Sequence, residues 1–189
     1  MRRPSSIAGA VLGVFLLLGS PVAAQPASGT KADIDALLNA LKTAPNEETA
    51  ALLEDRLQRL WLRSGSAVAT LLMNRGLRSV KAEQYDDAIT CFTDAITLKP
   101  DYAEAFRQRA LARYKTGDTP GAVADLGEAV KLEPRDFLAY HAMADIAQAR
   151  NDWKAAYLAW QKVLEIDPKT EGADERLREL KVKAVGEDL

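Results

Sequence analysis

Glu104, Arg107, Leu111 and Tyr114 are spaced by three, four and three residues, and 34 residues further on Leu138, His141, Asp145 and Gln148 repeat the spacing. Side chains so spaced share one face of a helix. Thr70, Met73, Leu77 and Val80 form a matching row, 34 residues before the first. The chemistry such rows offer is recognition. Arginine and tyrosine combine a large contact area with directional donors, His141 and Asp145 meet at an i, i+4 spacing, and Met73, Leu77, Leu111 and Leu138 add apolar surface. The candidate binding residues are therefore Met73, Leu77, Glu104, Arg107, Leu111, Tyr114, Leu138, His141 and Asp145.

Catalysis finds little to work with. The chain has one histidine and one cysteine, Cys91, too few for the three or four ligands of a zinc site. A thiol–imidazole pair would have to join Cys91 to His141, which the 34-residue spacing places in non-adjacent units. Cys91 sits beside Phe92 on an apolar stretch and reads as a small buried thiol. No glycine-rich phosphate loop follows a strand, and the carboxylates are spread as on solvated helix faces. The expectation is a protein that is not an enzyme and uses no cofactor. A formal net charge of -2 and a pI near 5.6 argue against nucleic acid, which needs a concentrated basic face.

The rows require helices held in fixed register, and the register is visible. Pro100, Pro134 and Pro168 are spaced by 34 and 34 residues. With each proline as position 32, three repeats run 69–102, 103–136 and 137–170. Position 8 is Gly76, Ala110, Ala144 and position 20 is Ala88, Ala122, Ala156: small residues where two helices approach closely. Larger apolar residues recur at position 24 (Phe92, Leu126, Trp160) and position 28 (Ile96, Val130, Leu164). Position 15 is Gly117 and Asn151 in two copies, residues that tolerate the left-handed exit from a helix, but Glu83 in the first. Asp118 and Asp152 are placed to cap second helices, and Asp101 with Glu104 reads as a capping box. Arg109 has Asp125 as a cross-helix partner.

A period of 34 with these small and apolar positions resembles the tetratricopeptide repeat. The resemblance implies an all-α fold: a right-handed α-solenoid of three TPR helix-turn-helix repeats, with the first helices lining a groove that holds a protein or peptide. Relatives that clamp a C-terminal carboxylate use lysines and asparagines on those helices. Asn74 is present, but Leu77, Leu138 and Ala142 stand where other members of that set are expected, so a carboxylate clamp is not implied.

Before the repeats, residues 33–66 read as a degenerate helical hairpin with stripes at Ile34, Leu37, Leu38, Leu41 and at Leu53, Leu57, Leu60, Trp61. It is expected to cover the free end of the stack. Residues 171–189 read as a capping helix, 173–185, and a tail. Residues 1–24, with Arg2 and Arg3 before an apolar run and small residues to Ala24, have the pattern of a cleavable secretory signal. Residues 25–32 are a polar N-terminus expected to be disordered, and no lipid-attachment cysteine follows the cut. Removing the two arginines takes the charge to -4. The chain resembles a group of small exported bacterial tetratricopeptide-repeat proteins, which implies a periplasmic or secreted protein without membrane insertion. Its expected role is to grip a peptide or helix of an envelope protein in its groove. The alternatives are a chaperone for exported proteins and a self-associating homo-oligomeric scaffold that pairs through an uncovered end or the Trp153 and Trp160 surface.

Overall fold

The computed structural model describes residues 31–186; the expected leader and its cleavage site lie outside them. The described residues form nine α-helices and no strand: α1 (Lys31–Lys42), α2 (Glu47–Leu62), α3 (Ala67–Lys81), α4 (Tyr85–Leu98), α5 (Ala103–Lys115), α6 (Thr119–Leu132), α7 (Phe137–Ala149), α8 (Trp153–Ile166) and α9 (Ala173–Gly186). The all-α expectation holds, with α3/α4, α5/α6 and α7/α8 as the three repeated pairs. Lys31 and Ala32, read from sequence as part of the polar tail, instead form the start of α1.

The small positions let the pairs close. Gly76, Ala88, Ala110, Ala122, Ala144 and Ala156 are all buried, and a Cβ at position 76 would lie 2.4 Å from Phe92 Cε1. Phe92, Leu126 and Trp160 fill the corresponding cores. The residues before the three prolines, Lys99, Glu133 and Asp167, leave their helices in non-helical geometry at φ -143°, -130° and -126°, as the proline ring, which disfavours the helical region for its predecessor, requires.

Caps follow the sequence signals with one correction. Asp118 accepts from Gly121 N at 2.9 Å, Asp152 from Ala155 N at 3.0 Å, and Asn46 from Thr49 N at 2.9 Å. Asp101 and Glu104, however, form no capping box: Tyr102 takes the N-cap position with no side-chain cap bond. The phenol ring is fully buried and its hydroxyl donates to Leu62 O, which fixes the entry to α5, while Asp101 pairs with Lys99 and Glu104 turns to Arg107. The left-handed exits fall at Gly117 (φ 89°), Asn151 (φ 58°) and also Glu83 (φ 59°), so the first repeat adopts the same turn with a less suited residue.

The hairpin α1–α2 touches the first repeat, where a cap is expected, only at the end of α2, where Leu62 packs against the core of α3 and α4. The rest folds back over repeats 2 and 3: α2 touches the first helix α5, α1 touches the second helix α8, and Leu41, Ala50, Leu57 and Trp61 form one core with Phe137 of α7. Trp61 and Phe137 rings lie 5.7 Å apart, and Arg135 bonds Asp35 and Asn39 of α1. The physical reason is an unmatched apolar stripe: lacking the small residue at position 20, the hairpin cannot interlock as a repeat and buries its stripe on the available aromatic face instead. At the other end α9 covers Trp160, whose Nε1 donates to Ala173 O at 3.2 Å, and buries Leu180.

Candidate functional site

The first helices α5 and α7, together with α2 and the α8–α9 connection, enclose two adjoining clefts. One, of about 450 Å³, is lined by Glu47, Ala51 and Glu54 of α2 against Arg107, Leu111, Leu138 and His141. The other, of about 690 Å³, runs from His141 and Asp145 past Trp153 to Glu175 and Arg176. His141, Asp145 and Glu171 belong to both.

Three charged clusters set the electrostatics. On α5, Glu104 accepts from Arg107 Nη2 and from Gln108 at 2.8 Å, while Arg107 Nε approaches Asp136 at 3.4 Å. All three charged residues are buried. Burial pushes the Asp136 carboxyl up to about 6 despite Arg107, with Glu104 adding to the rise; its Oδ1 still caps α7 through Ala139 N at 3.0 Å. On the other side of α5, Arg109 reaches Asp125 in a two-pronged bond, 2.8 Å from Nε and 2.7 Å from Nη2, and Arg113 joins at 2.9 Å. This is the partner expected from the sequence, and the planar match of guanidinium to carboxylate makes it a structural tie between helices.

The second cluster is at the junction of the clefts. His141 Nδ1 lies 3.0 Å from Asp145 Oδ2, Arg176 of α9 binds Asp145 and Gln148, and the guanidinium carbon sits 4.3 Å from the Trp160 ring centre. Although burial acts the other way, the hydrogen bonds from His141 and Arg176 hold Asp145 below the usual carboxylate range. The third cluster is acidic. Burial, with a hydrogen bond to and repulsion from Asp167 and further repulsion from Glu171, pushes Glu54 up to about 7. Burial likewise raises Asp167, which is fully enclosed and whose Oδ2 has no hydrogen-bond partner among the described residues. Two carboxyls so placed share one proton.

The nine candidate residues therefore divide. Leu111, Leu138, His141 and Asp145 line the clefts, as does the edge of Arg107. Met73 does not face a groove: it is fully buried, because its row packs into the core shared by α3, α4 and α5. Leu77 is packed against that same core and Tyr114 against the core of repeats 2 and 3. Glu104 is consumed by Arg107 and Gln108. The site residues that the spacing of first helices misses are Glu54 and Glu171, which come from α2 and the α8–α9 connection; nothing in the 34-residue period predicts where those segments lie. Trp160, read from sequence as a surface for self-association, is 1% exposed beneath α9. The described residues hold no group of His, Cys, Asp and Glu suited to a metal ion, and none of their helices is long and apolar enough to cross a membrane.

A TPR repeat-containing protein of Rhizobium etli is 30% identical over 159 residues, covering 84% of this chain and 78% of the relative. The chain belongs to the TPR repeat family. The family's profile, described as TPR repeat, matches residues 76–117, the span from Gly76 through the turn at Gly117. Small glutamine-rich tetratricopeptide repeat-containing protein 2 of Mycosarcoma maydis is 30% identical over 105 residues, but the chain spans only 30% of its length. Among solved structures, the first TPR domain of human RPAP3 superposes with a TM-score of 0.60 at 25% identity, covering 66% of this chain and 98% of that domain. The first TPR of Spaghetti (RPAP3), solved bound to the HSP90 peptide SRMEEVD, gives a TM-score of 0.59 at 26% identity over 64% of this chain and 95% of that one. The TPR fold is thus shared with solved TPR domains, one of them bound to an HSP90 peptide.

Proposed function

We propose that this chain is a non-catalytic interaction module of the bacterial envelope, which holds a peptide or helix of a partner protein against the α5–α7 face of its TPR stack. One observation carries the reading: that face already accepts a helix, since α2 seats Leu57 and Trp61 against Phe137 there. The solved TPR domain with a bound HSP90 peptide supports protein segments as the ligand class. Space remains beside α2 in the two clefts around Leu111, Leu138 and His141. The leader-like residues 1–24 support export, which N-terminal sequencing of the protein recovered from envelope fractions tests: a start at Gln25 is expected, and an intact Met1 in a soluble fraction would overturn it.

The binding reading is tested by crosslinking and capture from an envelope extract, comparing the wild-type protein with a Leu111→Glu/His141→Ala variant of equal helical content. The expected result is a discrete partner captured by the first and lost by the second. Capture of the same proteins by both would place binding elsewhere on the molecule.

A further inference from the structure

The acids around the α5–α7 face divide by partner. Glu104 and Asp136 have Arg107, Asp125 has Arg109 and Arg113, Asp145 has Arg176, and Glu179 has Lys183. Glu54 and Glu171, like Glu47 on the same cleft wall and Glu175 in the adjoining cleft, have no lysine or arginine paired with them among the described residues, nor has the buried Asp167, and the groups acting on Glu54 are Asp167 and Glu171. Asp167 Oδ2 is wholly buried, with no donor among the described residues beyond the proton its carboxyl shares with Glu54. Once that proton leaves, a buried acceptor is left unpaired, which is costly, and a second carboxylate beside it compounds the cost. The missing component is positive charge.

A metal ion does not fit, because no three such side chains among the described residues converge on one point. A lysine ammonium or arginine guanidinium does: it carries its own donors, and its aliphatic stem suits the apolar wall of Ala51, Leu111, Phe137 and Leu138 in the same cleft. We propose that the cleft between α2 and α7 binds a basic segment of a partner protein, whose lysine or arginine meets Glu54 and Glu171 on the cleft wall, with the buried Asp167 beside Glu54, while adjacent apolar residues lie on Leu111 and Leu138. This rests on the groove reading above and gives it a charge: the acidic end of a peptide such as SRMEEVD would meet carboxylates here.

Proton linkage sharpens the idea. Facing Glu54 are Asp167 and Glu171 from the α8–α9 connection, Glu47 on its own helix, Arg107 of α5, and His141 and Asp145 of α7. With Glu54 raised to about 7, the free cleft retains a proton that an incoming cation displaces. Affinity for a basic segment therefore rises between pH 5 and pH 8.

The test is fluorescence anisotropy with three short labelled peptides in which leucine alternates with lysine, glutamate or glutamine, titrated with the full exported chain. The lysine peptide is expected to bind best, and a Glu54→Gln/Glu171→Gln variant to lose about tenfold or more of that affinity. An Asp94→Asn variant on the remote helix α4 should lose none, and circular dichroism confirms that both remain folded. Equal binding of all three peptides would overturn the charge inference and leave the groove reading intact. Preferred binding of the glutamate peptide would overturn it outright. If none of the three binds, the groove reading falls and the inference with it, while a pH-independent affinity of the lysine peptide would remove Glu54 from the site.

Discussion

Two tryptophans show how differently the hairpin and the repeats are held. Trp160, in the third repeat, is enclosed with its indole N–H donating to Ala173 O. Trp61, in the hairpin, is 5% exposed, yet its Nε1 has no acceptor among the described residues. The repeats are joined by close helix approaches at glycine and alanine, and each pair continues into the next. The hairpin is joined by one apolar stripe, the Arg135 bonds to α1, the Tyr102 hydroxyl bond to Leu62 O and a carboxyl pair, Glu54 with Asp167, that a shared proton favours. A TPR stack is cooperative because every unit is an interface for its neighbour. A segment laid across that stack keeps its own, separable stability.

The largest expected effect is in the stack. Phe92→Ala removes a fully buried ring and should cost about 3–5 kcal/mol, lowering the single main transition in chemical denaturation. Leu57→Ala, equally buried in α2, should cost ~2–5 kcal/mol in packing but act locally: hydrogen exchange accelerates in α1 and α2 while α3–α9 keep their protection. Uniform loss of protection in both variants would show the hairpin and the repeats to be one cooperative unit.

A second, smaller effect depends on pH. Glu54 and Asp167 both have their carboxyls raised in the folded protein, Glu54 from 4.5 to about 7. The folded hairpin then binds a proton more tightly than the released one, so its attachment is strongest below the ordinary carboxylate range and weakens as pH rises through about 7. Exchange protection of α2, corrected for intrinsic rate, should fall between pH 5 and pH 8 in the wild type and stay level in Glu54→Gln. A fall of equal size in the variant would assign the change to Asp136 instead, whose carboxyl is raised to about 6.

The smallest effect tests the turns within the stack. Glu83 is held at φ 59°, a left-handed conformation that a side chain disfavours and glycine does not, so Glu83→Gly should stabilise the protein by about 1 kcal/mol or less. Asn151→Gly, at φ 58° in the equivalent turn, should change little, because asparagine already tolerates the geometry. Denaturant midpoints of the two variants check the difference.

The sequence by itself determined the repeat. The prolines at 34-residue spacing, the small residues at 76, 88, 110, 122, 144 and 156 and the caps at Asp118 and Asp152 are local or periodic signals, and a stack of helix pairs needs little else to specify its neighbours. It also paired Arg109 with Asp125 across that period. Tertiary structure alone decided the site: that α2 lies over α5 and α7, that Met73 is sealed while Leu111 and Leu138 remain open, and that Glu54 of α2 meets Asp167 and Glu171, more than a hundred residues away in the chain. The hairpin carries no repeat register, so its stripe of Ala50, Leu57 and Trp61 announces only that it must be buried. Where it is buried depends on which apolar face the completed stack leaves free, and that face, centred on Phe137, exists only once the repeats have folded.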